Sequence, residues 1–369
     1  MRQNEIVFSF DYKERVMKDL TVIGIDLAKN YIQIHGTNEQ GKKLVKKRVS
    51  REKFLTVMSN LPKCLIGMEA CSGAHYWAKR LETLGFIVKL MSPRKVKKFV
   101  ENHKNDQKDA QACAIAVTRS DMTFVPIKTQ SQLDIQASHR VRSYYIKQRT
   151  GLTNMVRGLL LELGIAIPQG KAAFVRNLHS LLESDDNRLT EPEKELMKIQ
   201  YDQFNELNHL INHHTKSLER LAQEDELAQL ISTIPGVGPI SATAIIAKIG
   251  NGSEFKQGRE LSAYLGLVPK QDSSGEKQVL RGISKHGDRY IRQLLVHGGR
   301  ACIVAAMRKN KITGFFEKQD EHYCWIRSLL ERIGVNKTCV AVANKNARII
   351  LALLKHKTTF QAALAHETH

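Results

Sequence analysis

The sequence predicts an α/β domain at the N-terminal end, followed by a long helical region and a mainly helical C-terminal domain. Up to residue 125, short apolar segments rich in β-branched residues alternate with helical stretches, which is typical of an α/β domain. Strand signals are few after that point, and residues 191–229 have a long helical periodicity. We divide the chain into an N-terminal extension without an assigned role, the α/β domain, the helical region, the C-terminal domain and a tail, at residues 1–20, 21–125, 126–229, 230–355 and 356–369.

The α/β domain opens with a predicted meander of three strands. Its first strand, Thr21–Leu27, is rich in β-branched residues and ends close to Asp26. The other predicted strands are Tyr31–Gly36, Lys42–Val49, Cys64–Met68 and Phe86–Met91. The predicted helices are Arg51–Asn60, Gly73–Leu84, Pro93–Asn102 and Asp106–Thr118.

Apolar residues of the helical region have the spacing of a coiled-coil seam. Alternating intervals of three and four residues join Phe204, Leu207, Ile211, His214, Leu218 and Leu221. We interpret residues 129–229 as an antiparallel helical pair, which serves either as an oligomerisation arm or as a solvated hairpin without a partner. His214 is interpreted as a seam residue with satisfied hydrogen bonds, not as a ligand.

The C-terminal domain begins with a glycine-containing turn, Pro235–Gly238, between two predicted short apolar helices. Gly236 and Gly238 would let the backbone approach a phosphate, as in a helix–hairpin–helix element. A plain turn between core helices is the alternative. A helix or connector at Phe255–Leu267, a polar loop at Pro269–Lys277 and a basic helical remainder to about Lys355 follow.

The charge of the chain indicates a polyanionic partner. Lysine and arginine number 57 against 37 aspartates and glutamates, a net charge of +20, and nucleic acid is the usual partner of such a soluble protein. No apolar run of membrane-spanning length and no signal peptide is seen, so we expect a cytoplasmic protein without a membrane partner. The six cysteines are scattered without a CxxC pair, which argues against a zinc site or a disulfide framework.

Four carboxylates are the candidate metal ligands. Asp26 and Glu69 lie at the ends of predicted strands, and Asp106 and Asp109 share a helix face at i and i+3. Oxygen ligands at close range suit hard divalent cations, which stabilise the attacking and leaving oxygens at a phosphate. The alternatives are a strand-end aspartate for Asp26 and helix capping for Asp106 and Asp109.

Basic residues accompany these acids and a candidate serine. Lys95, Lys97 and Lys98 precede the acidic pair and are candidate phosphate contacts, with a solvated helix face as the alternative. Ser274 precedes Gly275 in the polar loop, and a serine there needs a base or a metal to become a nucleophile. Candidate nucleic-acid contacts after it are Lys277, Arg281 and Lys285.

The ordered motifs resemble those of the DEDD insertion-sequence transposases, the bridge-RNA-guided recombinases of bacterial mobile elements. The likeness covers roughly residues 20–355, and the motifs are GIDLAKN, GMEACSGAHYWA, NDQKDA, IPGVGPISATAIIAKIG and YLGLVPKQDSSGEKQVLRGISKHGDRYIRQLLVHGGRA. A leading aspartate on a three-strand meander is also how ribonuclease-H-like nucleases begin. The resemblance implies an N-terminal RNase-H/RuvC-like α/β domain, a coiled-coil insertion and a mainly α-helical transposase domain.

The resemblance also implies a site and a mechanism. The acidic tetrad would be Asp26, Glu69, Asp106 and Asp109, binding Mg²⁺ or Mn²⁺, and Ser274 would be the nucleophile, with Ser273 beside it. Donor and target DNA would be selected by pairing with an element-encoded guide RNA. Protomers would assemble as a dimer or tetramer, in which one protomer's tetrad meets another's serine.

Two other functions remain open on the residues alone. One is a metal-dependent RuvC-like junction resolvase or nuclease in which Ser274 is a bystander. The other is a non-catalytic nucleic-acid-binding protein in which the acids are caps. Formation of a covalent protein–DNA adduct separates the recombinase from the resolvase, and metal-dependent cleavage separates both from the binding protein.

Overall fold

The computed structural model describes residues 19–100, 106–184, 188–274, 277–309, 316–317, 320–358 and 360. The chain divides into two compact units, Met1–Lys128 and Thr129–His369. None of the helices within the described ranges combines the length and the apolar character needed to cross a membrane.

The first unit is built on one mixed sheet with β1 near its centre. Its strands are β1 (Val22–Leu27), β2 (Tyr31–Thr37), β3 (Lys43–Ser50), β4 (Leu65–Glu69), β5 (Ile87–Met91) and β6 (Phe124–Val125). Their order is β3-β2-β1-β4-β5-β6. The meander β1–β3 is antiparallel, while β4 is parallel to both β1 and β5. This mixed α/β unit confirms the predicted class and fits the ribonuclease-H-like fold.

Helices cover both faces of this sheet. The helices in the described residues of this unit are α1 (Arg51–Ser59), α2 (Ala74–Thr83), α3 (Pro93–Val96) and α4 (Asp106–Val117). Phe54 of α1 and Trp77 of α2 pack in one core with Ile23 and Ile25 of β1. Because successive strand residues point to opposite faces, this core lies on the face away from Gly24 and Asp26.

The structure corrects two details of the sequence prediction in this unit. The helix predicted at Pro93–Asn102 ends at Val96 and continues only as a 3-10 turn, Lys97–Phe99, because Val100 is extended. Glu101 and Asn102 lie outside the described residues. The strand β6 is absent from the sequence prediction. It has two residues, both half-buried, and so has no alternation of buried and exposed positions.

The second unit opens with three helices, α5 (Gln130–Glu162), α6 (Lys171–Glu183) and α7 (Glu191–Glu224). Of these, α5 and α7 form the predicted antiparallel pair. Ser138 of α5 bonds to His214 of α7, and Arg149 bonds to Asn208. The partner number falls as the α5 number rises, so the two helices run in opposite directions. The contact between Ser138 and His214 also confirms that His214 is a hydrogen-bonded seam residue.

The seam of α7 is used inside the chain. Phe204 and Leu207 are buried in a core with Phe174 of α6, while Leu218 packs with Ile135 of α5. The predicted coiled-coil insertion is therefore shown only as an intrachain helical pair. Because these residues hold the unit together, substituting them tests folding and not assembly.

The single helix predicted over 191–229 is wrong at its end. It stops at Glu224, and Asp225 accepts a 2.8 Å hydrogen bond from the Ala228 backbone N–H as the N-cap of a new helix, α8 (Glu226–Ser232). An aspartate can cap a helix in this way only by leaving helical geometry itself.

In the described part of the second unit, five further helices and a hairpin follow α8. The helices are α9 (Pro239–Ile249), α10 (Gly258–Tyr264), α11 (Arg289–Met307), α12 (Glu321–Ile333) and α13 (Val335–His356). The strands β7 (Pro269–Ser274) and β8 (Lys277–Ile283) pair antiparallel. The polar loop predicted at Pro269–Lys277 is therefore wrong: most of it is strand. The described hairpin residues after Val268 are largely exposed and lack a buried apolar face. The sequence therefore has no strand-like alternation of apolar and polar residues there.

Candidate active site

Asp26 and Glu69 lie side by side at the same end of the sheet. The parallel register pairs Ile25 of β1 with Met68 of β4, so the next residues, Asp26 and Glu69, are neighbours on adjacent strands about 4.8 Å apart. Both side chains are half-buried. The predicted pair of strand-end carboxylates is thus brought together by strand pairing.

Helix α4 packs closely against the strands that carry these acids. A Cβ on Gly24 would lie 2.0 Å from the Ala110 carbonyl oxygen, and one on Gly67 would lie 2.6 Å from the Cys113 carbonyl oxygen. Gly24 and Gly67 pair in the register of β1 and β4. Since residues two apart on a strand share a face, Asp26 and Glu69 point to the side on which α4 lies.

Asp109 of α4 joins these two acids around the thiol of Cys113. Asp109 lies one helical turn before Cys113 and therefore on the same helix face. Burial raises the pKa of the Cys113 thiol well above its usual range, and the negative charges of Glu69, Asp26 and Asp109 raise it further. The Glu69 backbone N–H acts in the opposite direction and lowers this pKa. Charges that shift the pKa of a buried group in this way lie in its neighbourhood, so the three acids belong to the same region of the first unit.

Arg51 stabilises the turn that follows β1. Its guanidinium donates two hydrogen bonds, of 3.3 and 3.0 Å, to the carbonyl of Ala28, just after β1. Burial raises the pKa of the Cys71 thiol. The negative charges of Glu69 and Asp26 raise this pKa further, and the positive charge of Arg51 lowers it. Arg51 therefore holds the turn that follows Asp26, and its positive charge acts on the same Cys71 thiol as the charges of Asp26 and Glu69.

The fourth acid, Asp106, begins α4. The side chain of Asp106 and the residue before it lie outside the described residues, so the capping alternative for Asp106 stays a prediction. Among the side chains that are described, no group of three or more His, Cys, Asp or Glu stands in a geometry that could hold a metal ion. The chemistry of the donor set fits Mg²⁺ or Mn²⁺, because Asp26, Glu69 and Asp109 offer only hard carboxylate oxygens. The buried Cys113 thiol is kept protonated and so is a poor ligand.

The basic residues before α4 differ in exposure. Lys97 and Lys98 are exposed, which is compatible with phosphate contact as well as with a solvated helix face. Lys95 is half-buried and donates to the Thr123 hydroxyl. That bond gives Lys95 a partner within the first unit.

The Pro235–Gly238 turn lies between α8 and α9, as predicted. Gly236 has φ +83°, and a Cβ there would lie 2.6 Å from the Gly298 carbonyl oxygen of α11. This close approach supports the alternative of a turn between core helices for Gly236. Gly238 has nothing within 4 Å of an added Cβ and is exposed before the N-terminus of α9, so it keeps the geometry of a phosphate contact.

The candidate serine belongs to the second unit. Ser274 ends β7 and pairs with Lys277 of β8. The turn residues 275–276 and the side chains of Ser273, Ser274 and Lys277 lie outside the described residues. Arg281 is bound to Asp272 at 2.9 Å across the hairpin, while Lys285 is exposed with φ 55°.

Sequence reasoning missed the residues that bring the acids together. Gly24, Gly67 and Cys113 set the approach of α4, and Arg51 holds the turn after Asp26. A signal was present for the glycines, since glycine inside an apolar strand marks a close backbone approach. Nothing in the local sequence distinguishes Cys113 or Arg51.

Comparison with known proteins agrees with this architecture. The model of the transposase IS116/IS110/IS902 family matches residues 228–313, and a DEDD transposase model of the IS110 type matches residues 23–165. The second match covers β1, β4 and α4, which carry the acids, and the first covers the hairpin with Ser274.

Full-length relatives give the same result. The chain is 39% identical over 361 residues to a transposase for insertion sequence element IS1111A of Coxiella burnetii, covering 98% of this chain and 96% of the relative. It is 39% identical over 344 residues to a probable family 20 transposase of Pseudomonas aeruginosa, covering 93% and 99%. It is 36% identical over 344 residues to the transposase for insertion sequence element IS1328 of Yersinia enterocolitica, again covering 93% and 99%. The chain therefore belongs to the IS110/IS116 family of insertion-sequence transposases, a family of DNA-processing enzymes.

Proposed function

We propose that this transposase cuts and rejoins donor and target DNA through a metal-assisted serine nucleophile. The observation that carries the proposal is the position of Asp26 and Glu69 on adjacent strand ends, on the face against which α4, the helix of Asp109, packs. Carboxylates brought together from two strand ends and one helix are costly to hold so close unless a cation offsets their repulsion.

The metal would be Mg²⁺ or Mn²⁺, held by Asp26, Glu69, Asp109 and Asp106. When bound, such an ion supplies neutralisation of phosphate charge and a lower pKa for a coordinated hydroxyl or water. Two features support this assignment: strand pairing aligns Asp26 with Glu69, and α4, which carries Asp109, packs on Gly24 and Gly67 of the same strands. Arg51 stabilises the turn after β1 by its hydrogen bond to the Ala28 carbonyl.

Ser274 would be the nucleophile. Its hydroxyl oxygen forms a bond to the phosphorus of the scissile phosphodiester, and the bond to the 3′ oxygen breaks, which leaves a phosphoserine and a free 3′-hydroxyl. Rejoining is the reverse attack by a 3′-hydroxyl, which releases the serine. The position of Ser274 at the end of a largely exposed hairpin supports this role.

A guide RNA encoded by the element would choose the DNA partners by base pairing, and the net charge of +20 suits a protein that grips several nucleic-acid backbones. We propose a dimer or tetramer in which each site combines the acids of one protomer with the serine of another. Mixing Ser274→Ala with Asp26→Asn should then restore part of the activity. No recovery in the mixture would refute the shared site.

The acid site is tested by Asp26→Asn and Asp109→Asn. A neutral amide is a poor Mg²⁺ ligand, so both variants should lose metal-dependent DNA strand exchange while they keep their melting temperature and RNA binding. Asp121→Asn is the matched control, because Asp121 is an exposed aspartate of the same unit, and its ion-pair partner in the described part of the chain is Arg119, at 3.6 Å. Wild-type strand exchange by both acid variants would eliminate the metal site.

The serine is tested by denaturing electrophoresis of a DNA-linked protein band. Ser274→Ala should bind DNA and RNA but form no band, while Ser273→Ala should still form it. The reverse result would move the nucleophile to Ser273. A band from both variants, with metal-dependent cleavage intact, would favour the RuvC-like resolvase or nuclease instead.

A further inference from the structure

The sheet face that carries the acids continues beyond α4 as a basic surface. The register aligns Asp26 of β1 with Gln33 of β2, and Gln33 with Arg48 of β3. Paired strand residues point to the same side, as do residues two apart. Tyr31, Lys46 and Arg48 therefore share the face of Asp26, and we call these three residues the β3 strip.

The β3 strip is exposed and pre-organised. The Arg48 guanidinium lies 4.0 Å from the centroid of the Tyr31 ring, and Tyr31 is itself 44% exposed. Lys46 and Arg48 are both exposed. Stacking on an aromatic ring leaves the guanidinium N–H groups free to point outward and reduces the entropy lost when they bind.

The charge of this region acts on its neighbours. Burial lowers the pKa of His35, and the positive charges of Lys43 and Lys46 lower it further. His35 pairs with Lys46 in the register and with Gly24 on the side of β1. The acids are thus bordered on the same face by positive potential, which favours a phosphate backbone.

We propose that the β3 strip binds the backbone of the DNA strand that enters the carboxylate site, with Arg48 as the principal phosphate contact. Two strand spacings separate Asp26 from Arg48, about 10 Å. At about 3.4 Å of rise per nucleotide, that is about three nucleotides along one strand. The strip thereby orients the strand across the sheet and fixes which phosphodiester reaches the acids. This inference rests on the proposed action on DNA.

The chain offers a matched control on the same strand. Lys47 lies between Lys46 and Arg48, is exposed, and pairs with the buried Ile34. Strand alternation therefore directs Lys47 to the opposite face of the sheet. Arg48→Glu and Lys47→Glu make the same charge change on adjacent residues and differ only in the face on which it is made.

The test measures binding of the full chain to a fluorescein-labelled 30-nucleotide oligo-dT strand, in EDTA and across a salt series. In EDTA no metal-dependent reaction takes place, so the readout separates this inference from the proposed chemistry. Arg48→Glu should weaken binding by about tenfold, and Arg48→Ala should reduce the slope of log K against log salt by about 1. Tyr31→Ala should weaken binding in the same direction, whereas Lys47→Glu should change affinity by less than about threefold.

Equal losses in Arg48→Glu and Lys47→Glu would show general charge attraction and overturn the inference. Unchanged binding by Arg48→Glu would overturn it as well, as would a wild-type protein that does not bind the strand. A loss confined to a matched oligo-U probe would assign the strip to RNA instead. Melting temperatures within about 2 °C of the wild type confirm that the variants are folded.

Discussion

The contact of α4 with the sheet can be tested by adding single methyl groups. In Gly67→Ala the new Cβ would lie 2.6 Å from the Cys113 carbonyl oxygen, whereas ordinary contacts begin at 3.4 Å, so α4 has to move by about 0.8 Å. In Gly24→Ala the starting distance to the Ala110 carbonyl oxygen is 2.0 Å, so the movement is about 1.4 Å. Either movement takes Asp109 away from Asp26 and Glu69.

The expected result is a graded loss of metal-dependent strand cleavage. A misplacement of about 1 Å costs about a hundredfold in rate, so Gly67→Ala should lose about that much and Gly24→Ala more. Overpacking should also cost about 1–3 kcal/mol of stability in each variant. The assay is cleavage of labelled DNA over a Mg²⁺ titration, with unfolding followed in parallel.

Gly36→Ala controls for overpacking alone. Its Cβ would first meet the flexible Leu20 side chain, at 2.6 Å, in place of the backbone of α4. It should lower stability to a similar extent and leave cleavage at least at about a tenth of the wild-type rate. Wild-type cleavage by a folded Gly67→Ala, or an equal loss in Gly36→Ala, would refute the claim that the helix contact places the acids.

Three further outcomes follow from the second unit. Burial and the charge of Arg142 lower the pKa of His139 from 6.5 to about 4. Between these two pH values the unfolded state binds more protons than the folded state. The stability present above pH 6.5 is therefore lost as the pH falls towards 4, by up to about 3 kcal/mol. His139→Gln should flatten that dependence in denaturant titrations, and a profile as steep as the wild type would contradict it. Phe204→Ala, which removes a buried ring 4.8 Å from Phe174, should cost about 3–5 kcal/mol by chemical denaturation; a cost below about 1 kcal/mol would show that the ring is not a core element. Asp225→Ala should cost about 1 kcal/mol by loss of the α8 cap, and no change in the unfolding midpoint would argue against that cap.

Local pattern was sufficient for most elements of the fold. Short apolar runs predicted β1, β2 and β4, and the spacing of Phe204 and Leu207 predicted a packed helix. These patterns are readable because each element buries one face and its side chains repeat with the period of its own backbone. The hairpin β7–β8 was missed for the same reason: its described residues are mostly exposed, so it has no buried face to mark it.

The sequence by itself determined that Asp26 and Glu69 would end strands and that Asp109 would lie on a helix. Tertiary structure alone decided that they lie on one face at one end of the sheet, because parallel pairing of β1 with β4 and the packing of α4 on Gly24 and Gly67 join residues far apart in the chain. The β3 strip is likewise invisible in the sequence, where Lys46, Lys47 and Arg48 read as one basic run. Strand pairing turns Arg48 towards the face of Asp26 and Lys47 away from it, since only the register of one strand against another fixes which face a side chain shares with a distant residue.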